Sequence, residues 1–203
     1  MNTVRAFVAI DTSPVTRHLE RIQDALRNGP GGRAGRWVRA SGIHLTLKFL
    51  GSVQVGILPD VYAAVRIACD STEPLALEVG GLGCFPNSRR PRVVWAGVRD
   101  PRGRLAALQR RIETELVNSG QEPDRRPFRA HLTLARVHRS ANASDVAALG
   151  RSVAESDVGV GVSLRADAVY VMQSDLRPSG AVYTVLSRVP LVSGPRQPTA
   201  QGS

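Results

Sequence analysis

Residues Ile43–Gly51 read IHLTLKFLG, and Ala130–Val137 read AHLTLARV. The tetrad His-Leu-Thr-Leu therefore stands at 44–47 and again at 131–134. In an extended strand, alternate side chains point to opposite faces. Leu45 and Leu47 then face a core. His44 and Thr46 share the other wall, about 7 Å apart at ~3.3 Å per residue. Leu132 and Leu134 stand against His131 and Thr133 in the same way. One His-x-Thr in a strand is usually just a half-exposed pair. Here two of the chain's four histidines fall in the same setting.

The surroundings repeat too. VRAFVAID (Val4–Asp11) is β-rich, and Ser13-Pro14 reads as an N-cap followed by a first-turn proline. Val15, Leu19, Ile22 and Leu26 follow at helical spacing, and Gly29 closes the helix. NGPGGRAGR is a glycine-arginine loop before the first tetrad. A helix is predicted from Pro59 to about Asp70, striped by Val61, Val65 and Ala68, and then a strand, LALEV (Leu75–Val79). GGLGCFPNSRRPR reads as a turn-rich connection. RVVWAGV (Arg92–Val98) is a strand, and Leu105, Leu108, Ile112 and Leu116 stripe a helix ending before Gly120. After the second tetrad, Ser144 or Asp145 caps a helix through Val146, Leu149 and Val153. GVSLRADAVYVMQS and AVYTVLSRV are strands around a turn at Pro178-Ser179-Gly180.

The unit strand, helix, HLTL strand, helix, strand thus occurs twice. Arg5 precedes His44 by 39 residues, and Val93 precedes His131 by 38. The expected fold is α+β and duplicated: two lobes, each a mainly antiparallel sheet, facing a central groove with helices outside. The expected domain is a single bilobal unit over 1–189. The segment 190–203 lacks a hydrophobic pattern and is expected to be a disordered tail.

Composition sets further bounds. Of the 203 residues 42% are hydrophobic but only 4% aromatic, so aliphatic side chains must fill the core. No stretch approaches the roughly 20 apolar residues of a membrane span, and the N-terminus reads as a strand rather than a signal peptide. Cys69 and Cys84 form no CxxC pair and read as structural, so the expected setting is the cytoplasm. The net charge is +10, and Lys48 is the only lysine. That sign favours a polyanionic partner, since arginine binds phosphate bidentately. Solubility alone would account for the charge equally well.

Two imidazoles and two hydroxyls across a groove suit hydrolysis of a phosphodiester without a metal. Imidazole, with an ordinary pKa of about 6.5, serves as base or acid near neutrality. Threonine hydroxyls can donate to the non-bridging oxygens, where charge accumulates. The acidic residues do not gather near either tetrad as hard-cation ligands would. Zinc would find His44 and His131 but no third and fourth ligand at recognisable spacing. His18 and His138 lack a threonine partner and read as structural or solvent-facing, with His138 within reach of a bound polyanion.

The chain resembles the two-histidine (2H) phosphoesterase superfamily, and within it the RNA 2′,3′-cyclic phosphodiesterases, also called 2′-5′ RNA ligases. The resemblance rests on RAFVAID, RWVRASGIHLTLKFLG, FPNSRRPRVVWAGV, FRAHLTLAR and the SDLRPSGAVYTVL stretch. It implies a bilobal fold, a groove-bound site, no cofactor and no metal. The implied reaction opens a terminal 2′,3′-cyclic phosphate at P–O3′ to leave a 2′-phosphomonoester. It further implies His44 as general acid and His131 as general base, with Thr46 and Thr133 holding the phosphate and Arg136 as a further contact. Phe49 stands in the first tetrad where Arg136 stands in the second, and Ala130 replaces the family's usual proline before the second histidine. Phe128, with Phe7 behind it, is a candidate to stack the terminal base, although core packing is the commoner role for such rings. Trp37 and Trp95 read as core or lobe packing. The implied partner is RNA with a cyclic phosphate end, tRNA fragments among the candidates. No membrane is involved, and the protein is expected to be a monomer. Two other readings stay open: an RNA-binding module on the same scaffold, and a phosphodiesterase for small cyclic nucleotides.

Overall fold

The computed structural model describes residues 2–156, 161–177 and 180–192. The first repeat supplies β1 (Thr3–Asp11), α1 (Thr16–Asn28), a short β2 (Gly35–Trp37), β3 (His44–Gln54), α2 (Leu58–Cys69) and β4 (Leu75–Phe85). The second supplies β5 (Val93–Arg99), α3 (Arg104–Asn118), β6 (His131–Val137), α4 (Ala143–Glu155), β7 (Val162–Ala166), β8 (Ala168–Arg177) and β9 (Gly180–Pro190).

The sheet pairings are antiparallel, in the order β7-β4-β5-β6-β3-β1-β8-β9, with β2 added beside β6. The two tetrad strands meet at the centre. They join through one residue pair, Leu45 opposite Leu132. The two expected sheets are therefore halves of one curled sheet, β3-β1-β8-β9 on one side and β6-β5-β4-β7 on the other. Each repeat lends a strand to the other half: β4 pairs with β5, and β8 with β1.

The helices follow the same exchange. α2 packs on α3, and α1 on α4. The stripes read from the sequence are buried: Leu19, Ile22 and Leu26 on α1, Val61, Val65 and Ala68 on α2, and Leu105, Leu108, Ile112 and Leu116 on α3. They share one core with Leu45, Leu47, Leu132 and Leu134. Nearly every strand position facing this core is aliphatic, as expected of a chain poor in aromatics.

Four boundaries differ from the sequence reading. β4 runs on through GGLGCF, because a bulge between Val79 and Leu82, with Gly81 at φ +70°, lets the strand turn without leaving the sheet. GVSLRADAVYVMQS is two strands broken at Asp167, β7 on β4 and β8 on β1. Alternation within a strand carries no sign of which half it will join. The N-cap of α4 is Asn142, whose side chain accepts from the Asp145 amide at 2.8 Å, two or three residues before the expected cap. At α1 a short 3-10 turn (Ser13–Val15) precedes the helix proper. Order also extends past the expected boundary at 189: β9 reaches Pro190, and buried Leu191 donates its amide to the Asp167 carbonyl at 2.7 Å. Pro178, Ser179 and residues 193–203 lie outside those described.

Candidate active site

β3 and β6 carry the same burial sequence over their first seven residues. His44, Thr46, His131 and Thr133 are half-buried on one face, and the leucines between them are sealed on the other. The Leu45–Leu132 pair is flanked by His44 and Thr46 on one strand and by His131 and Thr133 on the other. The structure thus brings side by side the two strands that carry all four predicted groups.

The fifth, Arg136, reaches the same face through a bulge. Val8 lies opposite Lys48 and Ala9 opposite Thr46, so Leu47 is skipped; Val94 lies opposite Ala135 and Trp95 opposite Thr133, so Leu134 is skipped. Each bulge buries two successive side chains and reverses the alternation that follows. Without it Arg136 would point into the core. With it Arg136 is exposed on the groove side, and Phe49, its mate in the other half, is 52% exposed. At each bulge a helix glutamine binds the skipped leucine: Gln23 Nε2 donates to Leu134 O at 2.8 Å, and Gln109 Nε2 to Leu47 O at 3.4 Å.

Lys48 occupies the buried bulge position, 2% exposed. Its Nζ lies 2.7 Å from Glu113 Oε1 on α3 and 2.8 Å from Glu122 O. Glu113 Oε1 also accepts from the Asp124 amide at 2.8 Å. The first tetrad strand is thereby tied to the loop that leads into the second. The chain's one lysine is structural.

Both imidazoles are held alike. Nδ1 of His44 lies 3.0 Å from Gly42 O, and Nδ1 of His131 lies 2.6 Å from Arg129 O, each two residues back. A carbonyl only accepts, so each Nδ1 carries the proton. Nε2 is left free of that bond, and among the described residues neither Nε2 is buried without a partner. Asp11 stands opposite His44 in the β1–β3 ladder, but its oxygens take the Ser13 amide at 3.1 Å and hydroxyl at 2.5 Å. Orientation of His44 therefore falls to the backbone and not to a carboxylate.

Aromatic rings frame each histidine. Phe7 stacks on His44 with centroids 4.5 Å apart, and Tyr183 meets it edge-on at 5.0 Å. Phe85 meets His131 edge-on at 4.9 Å. Burial against these rings pulls the His44 pKa below its ordinary value, only partly offset by the bond to Gly42. Burial also raises the Tyr183 phenol, while the positive charges of Arg136 and Arg5 act the other way and mark both as its neighbours. The sequence reading missed Tyr183 and Phe85. Both lie within stretches that carried the resemblance, but nothing local to either residue announces contact with a histidine more than 40 positions away. Of the stacking candidates, Phe7 is buried beneath His44 and Phe128 packs against the core. Trp37 also packs on the core, and Trp95 lies against Phe85.

Among the described residues, no three His, Cys, Asp or Glu side chains converge as a metal site would require. No described helix is long and apolar enough to cross a membrane. The two cysteines are free and buried, and burial pushes their thiols up to about 12 at Cys69 and about 11 at Cys84. His138 is exposed beyond β6.

The family model described as "LigT like Phosphoesterase" matches the chain twice, over residues 10–95 and 97–183. The chain belongs to the LigT-like phosphoesterase family. The two matches divide it within β5, a few residues after the second structural repeat begins. Among relatives of this LigT-like chain, the RNA 2′,3′-cyclic phosphodiesterase of Methanothermobacter thermautotrophicus is 37% identical over 182 residues, covering 89% of this chain and 95% of that one. The protein of the same name from Aeropyrum pernix is 31% identical, covering 88% and 97%. The solved structure of TT0787 from Thermus thermophilus superposes with a TM-score of 0.75 at 26% identity, over 95% of this chain and all of that one. E. coli LigT, solved with 3′-AMP, shares the fold at a TM-score of 0.72 and 24% identity, over 94% and 99%.

Proposed function

We propose that this phosphoesterase hydrolyses RNA 2′,3′-cyclic phosphate ends to 2′-phosphomonoesters, with His44 and His131 as a metal-independent proton-transfer pair. One observation carries the reading. Two imidazoles, each with Nδ1–H given to a backbone carbonyl, offer Nε2 to the same sheet face as Thr46 and Thr133. The relatives' names supply the substrate class.

In this reading the phosphate lies over the Leu45–Leu132 pair, with its non-bridging oxygens on the two threonine hydroxyls. His131 Nε2 takes a proton from water, whose oxygen attacks phosphorus. The P–O3′ bond breaks, and His44 Nε2 protonates the departing O3′. Burial makes protonated His44 a stronger acid than free imidazole. The anionic substrate favours its protonation at the moment of use. Arg136, beside Tyr183, adds positive charge on the His44 side. Residues 1–189 act as one bilobal unit, since each half contains a strand from the other repeat. The chain works as a cytoplasmic monomer, for which two free thiols are suited, on RNA ends that include tRNA fragments.

The test is turnover of RNA bearing a 2′,3′-cyclic phosphate in excess EDTA, with products resolved as 2′- or 3′-phosphate. Metal-independent formation of the 2′-phosphate is expected. Loss on chelation with recovery on Zn²⁺ or Mn²⁺ would restore the metal reading. Binding without turnover would make the protein an RNA-binding module. Turnover confined to mononucleotides would make small cyclic nucleotides the substrate.

A further inference from the structure

β2 is three residues long, yet it brings a second arginine to the groove. Arg36 lies directly opposite Arg136 in the β2–β6 ladder. Paired residues share a face, so Arg36 stands on the side of His131 and Thr133. Its neighbour Trp37 pairs with buried Ala135 and packs on the core, which confirms the orientation. Both guanidiniums are exposed. Among the described residues neither makes an ion pair or a side-chain hydrogen bond. Like charges directly opposite on an antiparallel pair repel, and an anion held between them removes the penalty. His138 continues the row: its amide donates to Ala34 O at 2.9 Å, extending the ladder, and alternation returns it to the face of Arg136.

We propose that Arg36, Arg136 and His138 form a track for the phosphate backbone of the RNA strand on the 5′ side of the reacting end. The proposal rests on the function proposed above and adds to it the substrate's length. From Thr133 to Arg136 is about 10 Å along the strand at ~3.3 Å per residue. The track therefore begins within a few nucleotides of the phosphate over the threonines. The row is cationic, so it holds backbone and reads no base, as the positively charged grooves of sequence-tolerant single-strand binders do. A mononucleotide reaches Arg136 at most, and Arg36 and His138 engage only a longer strand. An oligomer gains affinity there that depends on salt.

The experiment compares wild type, Arg36→Ala, Arg36→Glu and a control outside the track, Arg151→Ala, on the exposed side of α4. Two probes are used: 5′-labelled hexauridylate ending in a 2′-phosphate, for direct binding, and uridine 2′,3′-cyclic phosphate, for turnover. Arg36→Ala should weaken hexamer binding about 3- to 10-fold and reduce the slope of log affinity against log salt by about 0.7. Arg36→Glu should weaken it further. Both should leave mononucleotide turnover unchanged, and Arg151→Ala should change neither. In the RNA-free protein, Arg36→Ala should keep or raise the Tm, because a repulsion is removed. Equal weakening by Arg36→Ala and Arg151→Ala would reduce the effect to diffuse net charge and overturn the track, as would unchanged hexamer binding in Arg36→Ala. If wild type turns over no cyclic phosphate, the proposed function fails, and hexamer binding still decides the track.

Discussion

Replacing Gln23 with Met keeps the side chain's length and volume but removes both of its donated hydrogen bonds. Gln23 is 2% exposed, and its Nε2 donates to Val38 O at 2.7 Å and Leu134 O at 2.8 Å. Leu134 O keeps a second partner, the Val38 amide at 2.9 Å. Val38 O has no other partner among the described bonds, so it loses its acceptor role altogether. An orphaned acceptor costs about 1–3 kcal/mol, and the loss of a bond whose acceptor stays paired about 0.5–1.5. The expected destabilisation is therefore about 2–4 kcal/mol. At roughly 2–4 °C per kcal/mol for a chain of this size, Tm should fall by about 5–15 °C. Gln109→Met is the internal comparison. Its single bond to Leu47 O is 3.4 Å long, and its loss should cost no more than about 1 kcal/mol. Calorimetry or circular-dichroism melts of the two variants give the answer directly. Equal shifts, or a fall below about 2 °C for Gln23→Met, would refute the claim that this glutamine anchors the bulge and β2.

The remaining predictions concern the site. His44→Ala and His131→Ala should each lower single-turnover hydrolysis on the order of 10²-fold or more, with a much smaller loss of affinity. The double mutant should fall well short of the product of the two, because residues acting in one step behave as a unit. The kcat/KM profile should be bell-shaped, with limbs that belong to the histidine pair, and one limb should lie below the ordinary histidine value of about 6.5, because burial lowers His44. That limb should move upward in kcat as bound phosphate stabilises the imidazolium; a kcat/KM profile with no limb below about 6.5 would count against the buried His44 as a member of the pair. The same lowered pKa bears on stability. His44 resists protonation more in the folded state than in the unfolded, so its contribution is full above about pH 6.5 and is lost as pH falls through the folded value. Melting temperature against pH should therefore slope less below 6.5 in His44→Gln. A residual slope is expected from His18, lowered by burial and by Arg21.

The duplicated order of elements, the helical stripes and the choice of His44, Thr46, His131 and Thr133 were all legible in the chain. Each depends on a local period: 3.6 residues for the stripes, two for the tetrads. Arg136 lay at the edge of that method. Plain alternation counts it onto the core face. Only the bulge at Leu134, seen in the β5–β6 register, returns it to the groove.

Tertiary structure decided what depends on partners distant in sequence. The exchange of β4 and β8 between halves could not be read, because a strand's pattern records its buried face and not its neighbour. Tyr183 reaches His44 from β9, and Phe85 reaches His131 from β4. Arg36 stood in what read as a glycine-arginine loop until β2 paired with β6. Sequence by itself determined which residues are candidates for the chemistry, because residue type and strand period are local properties. The tertiary structure alone decided how they are held and charged. Burial of His44, the carbonyls that orient both rings and the arginines facing each other across β2–β6 all arise from contacts that form only when the curled sheet brings distant strands together.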